Sequence, residues 1–290
     1  MDVTRVQTAR CRGGEGPLWD PVERALYFID NAGQKVHRYE PASGTTRSWD
    51  VPSVVTSLVL RQRGGGIVTL RTGIHTLDFQ TGALEFLAEL PPRCVFNDGK
   101  VDRRGRFIIG GCTSNFHRPA PDGGVYRMGA DHHLTVLDTG VHFSNGPCWS
   151  PDDKTFYFSD SFQSTTYSYD YDIETGGLAN KRIFVNTHDL GGVPDGATVD
   201  RDGLVWIAIF RGGKIAAYRP NGQLERIVEL PVRLTSSVMF GGPNLDQLYV
   251  TTIAKDVVAG TPEEPEEGAG HVFVINGLGA RGVPEPKYAG

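Results

Sequence analysis

A unit of about 40 to 50 residues recurs along the chain, and no other feature constrains its fold as strongly. Each copy opens with a segment containing small residues, continues through a short apolar strand to a turn, and adds two more β-branched or aromatic strands. The six copies begin at Gly14, Thr56, Asn97, Asn145, Pro194 and Ser236. Short strands between turn signals at this period predict an all-β fold, a six-bladed β-propeller of four-stranded antiparallel sheets.

Closure of the predicted ring needs more strands than the obvious three per copy. The 37 glycines and 18 prolines are spread along all 290 residues, as expected for many short strands. We expect the fourth strands to come from linking segments such as residues 46–51 and 226–230. We also expect the N-terminal residues 3–7 to pair into the blade that holds the C-terminal strand, because closure removes an open sheet edge. Residues 1–290 are therefore predicted to form a single propeller domain.

Composition excludes several classes of function. With 29 Lys and Arg against 34 Asp and Glu, the net charge of −5 argues against nucleic-acid binding. No signal peptide and no membrane-spanning run is apparent. Four widely spaced cysteines without a CxxC pair indicate free, buried thiols in a cytoplasmic protein. A closed propeller needs no partner, so a monomer is expected, although a dimer remains possible.

Polar residues in the first strand of several copies suggest a metal centre. The first strand of each propeller blade lines the central channel, so equivalent positions point to one axis. Aligning the copies places Glu15, Asn97, Asn145 and Asp195 in register, each beside glycine or proline. Two carboxylates and two amides would form an oxygen-rich site with a charge of about −2, which suits a hard divalent cation. We therefore predict one divalent ion on the axis, and Ca²⁺, Mg²⁺, Mn²⁺ and Zn²⁺ all remain candidates.

The chain resembles the regucalcin (senescence marker protein)/gluconolactonase family of six-bladed propeller lactonases over nearly its whole length. The resemblance is carried by segments 14–17, 96–102, 144–147, 194–196, 240–242 and 288–290. It implies that Glu15, Asn145 and Asp195 bind the metal and that Asp195 is also the general base. It further implies that Asn97 lies at the edge of the site and contacts water or substrate.

Two positions depart from the family pattern, and both concern the substrate. Animal regucalcins have an arginine at the position of Val95 and an acidic residue within the segment corresponding to residues 114–116. The resemblance assigns these positions to the lactone hydroxyls, and it implies a lid at residues 116–123. Asn115, His117 and Arg118 are therefore candidate substrate contacts. His142 and His188 are weaker candidates, and His37 is expected at a blade interface or facing solvent.

The predicted reaction is the hydrolytic opening of a sugar lactone, of the aldonolactone type, to its hydroxy acid. A divalent ion can polarise the lactone carbonyl and lower the pKa of water, and a carboxylate can accept the water proton. Arg71 and Arg211 could bind an anionic substituent if they face the channel mouth. One alternative is a calcium-binding regulatory or scaffold propeller with a structural ion. The other is a hydrolase of non-sugar lactones or phosphoesters.

Overall fold

The computed structural model describes residues 1–114, 120–254 and 266–290, which form six four-stranded antiparallel sheets around a central axis. The predicted six-bladed β-propeller is thereby confirmed. Strand β1 (Asp2–Arg5) opens the chain. Blade 1 contains β2 (Gly14–Asp20), β3 (Ala25–Asp30), β4 (Lys35–Glu40) and β5 (Thr45–Asp50). Blade 2 contains β6 (Val55–Leu60), β7 (Gly66–Leu70), β8 (Gly73–Leu77) and β9 (Leu84–Ala88).

The remaining blades repeat this up-and-down order. Blade 3 contains β10 (Cys94–Val101), β11 (Phe107–Thr113), β12 (Gly123–Met128) and β13 (Leu134–Val141). Blade 4 contains β14 (Ser144–Trp149), β15 (Thr155–Asp160), β16 (Thr165–Asp172) and β17 (Gly177–Asn186). Blade 5 contains β18 (Val193–Val199), β19 (Val205–Phe210), β20 (Lys214–Tyr218) and β21 (Leu224–Glu229). Blade 6 contains β22 (Thr235–Gly241), β23 (Gln247–Thr252) and β24 (Phe273–Asn276), and 3₁₀ turns occur at Ser161–Gln163 and His188–Leu190.

The N-terminal strand closes the ring, as predicted. Strand β1 pairs antiparallel with β24, with Val3 opposite Ile275, so the outer edge of blade 6 is the first strand of the chain. The predicted outer strands at residues 46–51 and 226–230 correspond to β5 and β21. Closure leaves each blade packed between two neighbours, and this removes the free edge at which a propeller could open.

Burial falls from the inner strands to the outer ones, because the outer strands are the most open to water. All six residues of β3 are buried, whereas Trp49 is the buried residue of β5. Trp49 packs on Phe79 of blade 2 at a ring-centroid distance of 4.8 Å and donates a hydrogen bond to its carbonyl. All four cysteines are buried and free, as predicted. No helix in the described parts of the chain is long and apolar enough to cross a membrane.

A β-bulge interrupts the innermost strand of every blade. The register between the first and second strands shifts once in each, at 15–18, 55–57, 96–99, 145–148, 194–197 and 235–237. Gly16 and Gly146 follow Glu15 and Asn145 with φ of +52° and +54°, a conformation that favours glycine. A bulge bends its strand and redirects the neighbouring side chains, and here it does so beside every predicted axial residue.

Candidate metal centre

The inner strands bring the predicted ligands towards one end of the channel, although not at identical positions. Glu15 and Asn145 are the last paired residues before the bulges of β2 and β14. Asn97 and Asp195 lie inside the bulges of β10 and β18. Asn145 and Asp195 are buried, while Glu15 keeps some accessible surface. The four side chains therefore come from four blades and reach the site through two kinds of backbone position.

Three carboxylates lie close enough to repel one another. Burial raises the pKa of Glu15 well above its usual value, and the negative charges of Asp195 and Asp98 raise it further. Burial also raises the pKa of Asp195, again with a contribution from Asp98. Because like charges within a desolvated site favour protonation, this region needs positive charge to hold all three groups ionised.

Asp98 is the residue of this group that the sequence analysis did not single out. It is buried in the bulge of β10, and its carboxylate accepts a hydrogen bond from Gly146 N–H at 3.0 Å. Burial raises its pKa, whereas the Gly146 N–H and the positive charge of Lys100 oppose that rise. Its position next to Asn97 in an Asn-Asp-Gly segment was the available signal, but that pattern is also ordinary turn chemistry.

A hydrogen-bond network orients the two amides. Asn97 Nδ2 donates to the Asn145 side-chain oxygen and to the Ser144 carbonyl, both at 2.8 Å. Asn145 Nδ2 donates to Ser161 Oγ at 2.8 Å, and that hydroxyl donates to the Pro194 carbonyl at 2.6 Å. The network links blades 3, 4 and 5. It directs the amide nitrogens into the protein and leaves the Asn145 oxygen with a free lone pair.

A cavity lies between the inner strands of the propeller, beside Asp98. All six inner strands contribute to its lining, through Gly16, Ser57, Asp98, Pro147, Ala197 and Ser237. Lys100 Nζ donates to the Ala197 carbonyl at 2.8 Å and lies 3.5 Å from the Glu285 carboxylate. Glu285 of the C-terminal segment thus helps to hold the lysine in place. The positive charge of Lys100 favours the ionised form of Asp98 and offsets part of the negative charge near the axis.

Of the residues predicted near the substrate, the structure describes His142, Arg71 and Arg211. Asn115, His117 and Arg118 lie outside the described residues, and the predicted lid at residues 116–123 reaches β12 at Gly123. His142 forms a 3.0 Å contact with Asp160, whose carboxylate also caps the backbone of residues 142 and 143. Arg71 is exposed, and its positive charge lies near enough to Cys112 to oppose the rise in the pKa of that thiol. Arg211 lies over the Phe210 ring.

The donor set fits a hard divalent cation. Glu15 and Asp195 offer carboxylate oxygens and Asn145 offers an amide oxygen, the ligand types that Ca²⁺ and Mg²⁺ prefer. The pKa values of the two ligand carboxylates are raised first by burial and then by neighbouring negative charge, and a bound cation would oppose both effects. Glu15, Asn145 and Asp195 could therefore hold the ion, with Asn97 orienting Asn145 and Asp98 adding charge.

Fold and site together define a six-bladed β-propeller with an oxygen-rich axial centre. A sequence profile of the SMP-30/Gluconolactonase/LRE-like region matches residues 13–254, and the chain belongs to this family. The regucalcin of Danio rerio is 35% identical over 96% of this chain and 95% of its own.

Two solved structures share the architecture. A luciferin-regenerating enzyme superposes with a TM-score of 0.92 at 29% identity, covering 99% of both chains. A calcium-binding protein, regucalcin, from Agrobacterium tumefaciens superposes with a TM-score of 0.88 at 25% identity, covering 98% of this chain and 97% of that one. The family resemblance expected from the sequence motifs is thereby confirmed.

Proposed function

We propose that this protein is a metal-dependent lactonase that hydrolyses a sugar lactone to its hydroxy acid. One observation carries the proposal: three carboxylates from blades 1, 3 and 5 converge beside the hydrogen-bonded amides of Asn97 and Asn145, and burial raises the pKa of each. They are Glu15, Asp98 and Asp195. A structural core would not accumulate such charge without compensation, since burying an unpaired carboxylate is costly. Membership of a family that includes gluconolactonases supports the same assignment.

The residues of the chain would divide the work as follows. Glu15, Asn145 and Asp195 would hold a divalent cation, whose charge would polarise the lactone carbonyl and lower the pKa of water. Asp195 would accept the proton of the attacking water as general base. Asn97 would keep the Asn145 oxygen directed at the site through its 2.8 Å hydrogen bond. Asp98 would add negative charge near the ligands, and this favours cation binding.

Substrate recognition would fall to residues around the channel mouth. We place Asn97, Asn115, His117 and Arg118 in this role, with hydroxyl groups of the lactone as their partners. Val95 lies on β10 opposite Cys112 and offers an apolar side chain at that point. The lactones accepted by this protein should therefore differ from those of relatives that have a cation there.

Proton release from a panel of aldonolactones and acidic sugar lactones tests the proposal. The protein is first chelated and then restored with Ca²⁺, Mg²⁺, Mn²⁺ or Zn²⁺ in separate samples. We expect turnover that requires the ion, falls by at least about a hundredfold in Asp195→Asn, and persists in Asp202→Asn. Asp202 is a matched control because it lies exposed in the turn after the same strand.

The same experiment separates the enzyme from an ion-binding protein. A calcium-binding role has independent support, because the regucalcin from Agrobacterium tumefaciens is described as a calcium-binding protein. If the folded protein binds the ion but opens none of the lactones, the lactonase proposal is wrong. In that case the site would serve as a structural or regulatory calcium site.

A further inference from the structure

A second group of metal-ligating side chains lies between blades 6 and 1. Cys11, Asp30 and His37 each offer a ligand atom, and these atoms all lie within 4.8 Å of one another. The three residues are 2%, 4% and 2% exposed. From this arrangement we propose that Cys11, Asp30 and His37 form a second metal site, selective for a thiolate- and imidazole-binding ion such as Zn²⁺.

The fold holds the three donors on three separate elements. Cys11 lies in the connection between β1 and β2, and its backbone N–H donates to the Gly270 carbonyl at 2.7 Å. Asp30 ends β3, and its carboxylate accepts the N–H groups of residues 12, 13 and 33 at 2.8 to 2.9 Å. His37 projects from β4 and stacks on Phe28 at 4.9 Å between ring centroids.

His37 has one ring nitrogen that the protein leaves unsatisfied. Its Nδ1 lies 2.7 Å from Ser48 Oγ, a hydroxyl on the exposed outer strand β5. Its Nε2, on the opposite side of the ring, is buried and has no hydrogen-bond partner. Because Nδ1 faces outwards to β5, Nε2 is directed inwards, away from that strand. A buried nitrogen without a partner is costly, and a metal ion would satisfy it.

Blade 4 provides an internal comparison. There Asp160 caps the equivalent loop by accepting the N–H groups of residues 142 and 143. The strand register places Tyr167 where blade 1 has His37, and Val141 precedes the capped residues where blade 1 has Cys11. The carboxylate cap thus works without a thiol or an imidazole. Blade 1 adds a thiol in the connection and an imidazole on β4 beside a carboxylate cap of the same kind.

The chemistry of the donors selects the ion. A thiolate, an imidazole and a carboxylate together favour Zn²⁺ and similar transition metals, whereas the all-oxygen axial site favours harder cations. Burial, together with the Asp30 charge, raises the pKa of the Cys11 thiol, and burial lowers the pKa of His37 to about 4. The imidazole is therefore already neutral. Metal binding would break the S–H bond, form the metal–thiolate bond and release one proton to solvent.

Such an ion would have a structural consequence. The connection that carries Cys11 links the ring-closing strand β1 to the first strand of blade 1, while Asp30 and His37 belong to blade 1 itself. A bound ion would tie this connection to the blade. It would therefore stabilise the closed ring, and it would do so independently of the axial centre.

Cobalt titration of the full-length chelated protein tests the site. Co²⁺ reports thiolate ligation through a near-ultraviolet charge-transfer band and tetrahedral geometry through intense visible bands. The wild type is saturated with Ca²⁺, and Asp195→Asn is titrated alongside, so that Co²⁺ at the axial site does not contribute. We expect one equivalent of Co²⁺ to give the thiolate band in both samples, with displacement by Zn²⁺.

Two variants decide the outcome. Cys11→Val copies Val141, the residue at the equivalent position before blade 4, and should abolish the band while circular dichroism shows a folded protein. Cys148→Val, which replaces another buried free cysteine, should retain it. With Ca²⁺ saturating the axial site, Zn²⁺ should raise the melting temperature of the wild type and of Asp195→Asn but leave Cys11→Val unchanged. A wild type without the band, or a band that survives in Cys11→Val, would overturn the proposal while leaving the axial site untouched.

Discussion

Asn97 Nδ2 donates a 2.8 Å hydrogen bond to the side-chain oxygen of Asn145 across the boundary between blades 3 and 4. The same nitrogen donates to the Ser144 carbonyl, so the Asn97 amide is held from two directions. Residues that orient a metal ligand commonly influence affinity almost as strongly as the ligand itself. Asn97 is thus placed to control how Asn145 presents its oxygen to a cation.

Replacing Asn97 tests this positioning role. Asn97→Ala removes this donor and leaves the Asn145 amide held from one side, through Ser161, so Ca²⁺ affinity should fall by about 10- to 100-fold. Isothermal titration calorimetry of the chelated protein measures the change. Asn244→Ala, at an exposed position far from the axial residues in sequence, should bind as the wild type does. Unchanged affinity in folded Asn97→Ala would show that Asn145 is held by Ser161 alone.

Replacing Asp98 removes charge while preserving shape. In Asp98→Asn the amide oxygen can still accept the Gly146 N–H, so the fold should be retained. The loss of one nearby negative charge should weaken Ca²⁺ binding by about tenfold or more. It should also lower the pKa values of Glu15 and Asp195, which Asp98 raises in the wild type.

Titrations in buffers with different ionisation enthalpies measure both effects of Asp98→Asn. Fewer protons should leave the protein when Ca²⁺ binds to the variant, because the ligand carboxylates are already more fully ionised. Asp202→Asn is again the control. Equal affinity and equal proton release in the variant and the wild type would place Asp98 outside the electrostatic field of the ion.

The ring could be predicted because its signals are local and repeated. Each copy carries turn residues and short runs of β-forming residues, and β5 was predicted at residues 46–51. The position of each axial side chain along the channel could not be predicted from the sequence, since β-bulges depend on packing between strands. Alignment put Glu15 and Asp195 in one register, yet one residue precedes its bulge and the other lies within it.

Residues outside the repeat were harder to find. Ser161, which joins Asn145 to the Pro194 carbonyl, sits in a 3₁₀ turn and belongs to no periodic pattern. Asp98 was hidden because a turn explains Asn-Asp-Gly equally well. His37 was expected at a blade interface or in solvent. Its proximity to Cys11, 26 residues earlier in the chain, and to Asp30 depends on how three separate elements pack, which the sequence does not display.

The metal-free protein should lose stability as the pH rises. Folded Glu15 and Asp195 have pKa values above their ordinary values of 4.5 and 3.8, so the folded chain binds more protons than the unfolded chain. Stability from these groups is therefore complete at low pH and is lost as the pH rises through the raised folded values. Ca²⁺ should reverse this trend, since it binds the ionised carboxylates.

Urea denaturation with chelator, between about pH 4.5 and pH 8, measures this dependence. The wild type is compared with the Glu15→Gln/Asp195→Asn double variant, which lacks both titrating groups but shares all others. The free energy of unfolding of the wild type should decline with pH relative to the variant. Parallel profiles would mean that the two carboxylates are solvated more fully than their surroundings indicate.

The C-terminal segment should contribute substantially to stability through Tyr288. This side chain is fully buried, and its hydroxyl donates to the Gly129 carbonyl at 2.5 Å. The backbone N–H of Tyr288 donates to Leu60 and that of Ala289 donates to Gly105, so the segment joins blades 2 and 3. Tyr288→Ala should therefore lower the free energy of unfolding by about 3 to 5 kcal/mol, the usual range for an aromatic core deletion.

Tyr288→Phe separates packing from hydrogen bonding at the same position. It keeps the ring but removes the hydroxyl that lies 2.5 Å from the Gly129 carbonyl and 2.9 Å from His132 Nδ1. Because the His132 N–H still donates to that carbonyl, a loss of about 0.5 to 1.5 kcal/mol is expected. Tyr167→Phe, at a half-buried position in blade 4, should change stability by no more than about 0.5 kcal/mol. Thermal and urea unfolding measure all three variants. A Tyr288→Ala protein as stable as the wild type would show that strand pairing alone holds the ring, without help from the C-terminal segment.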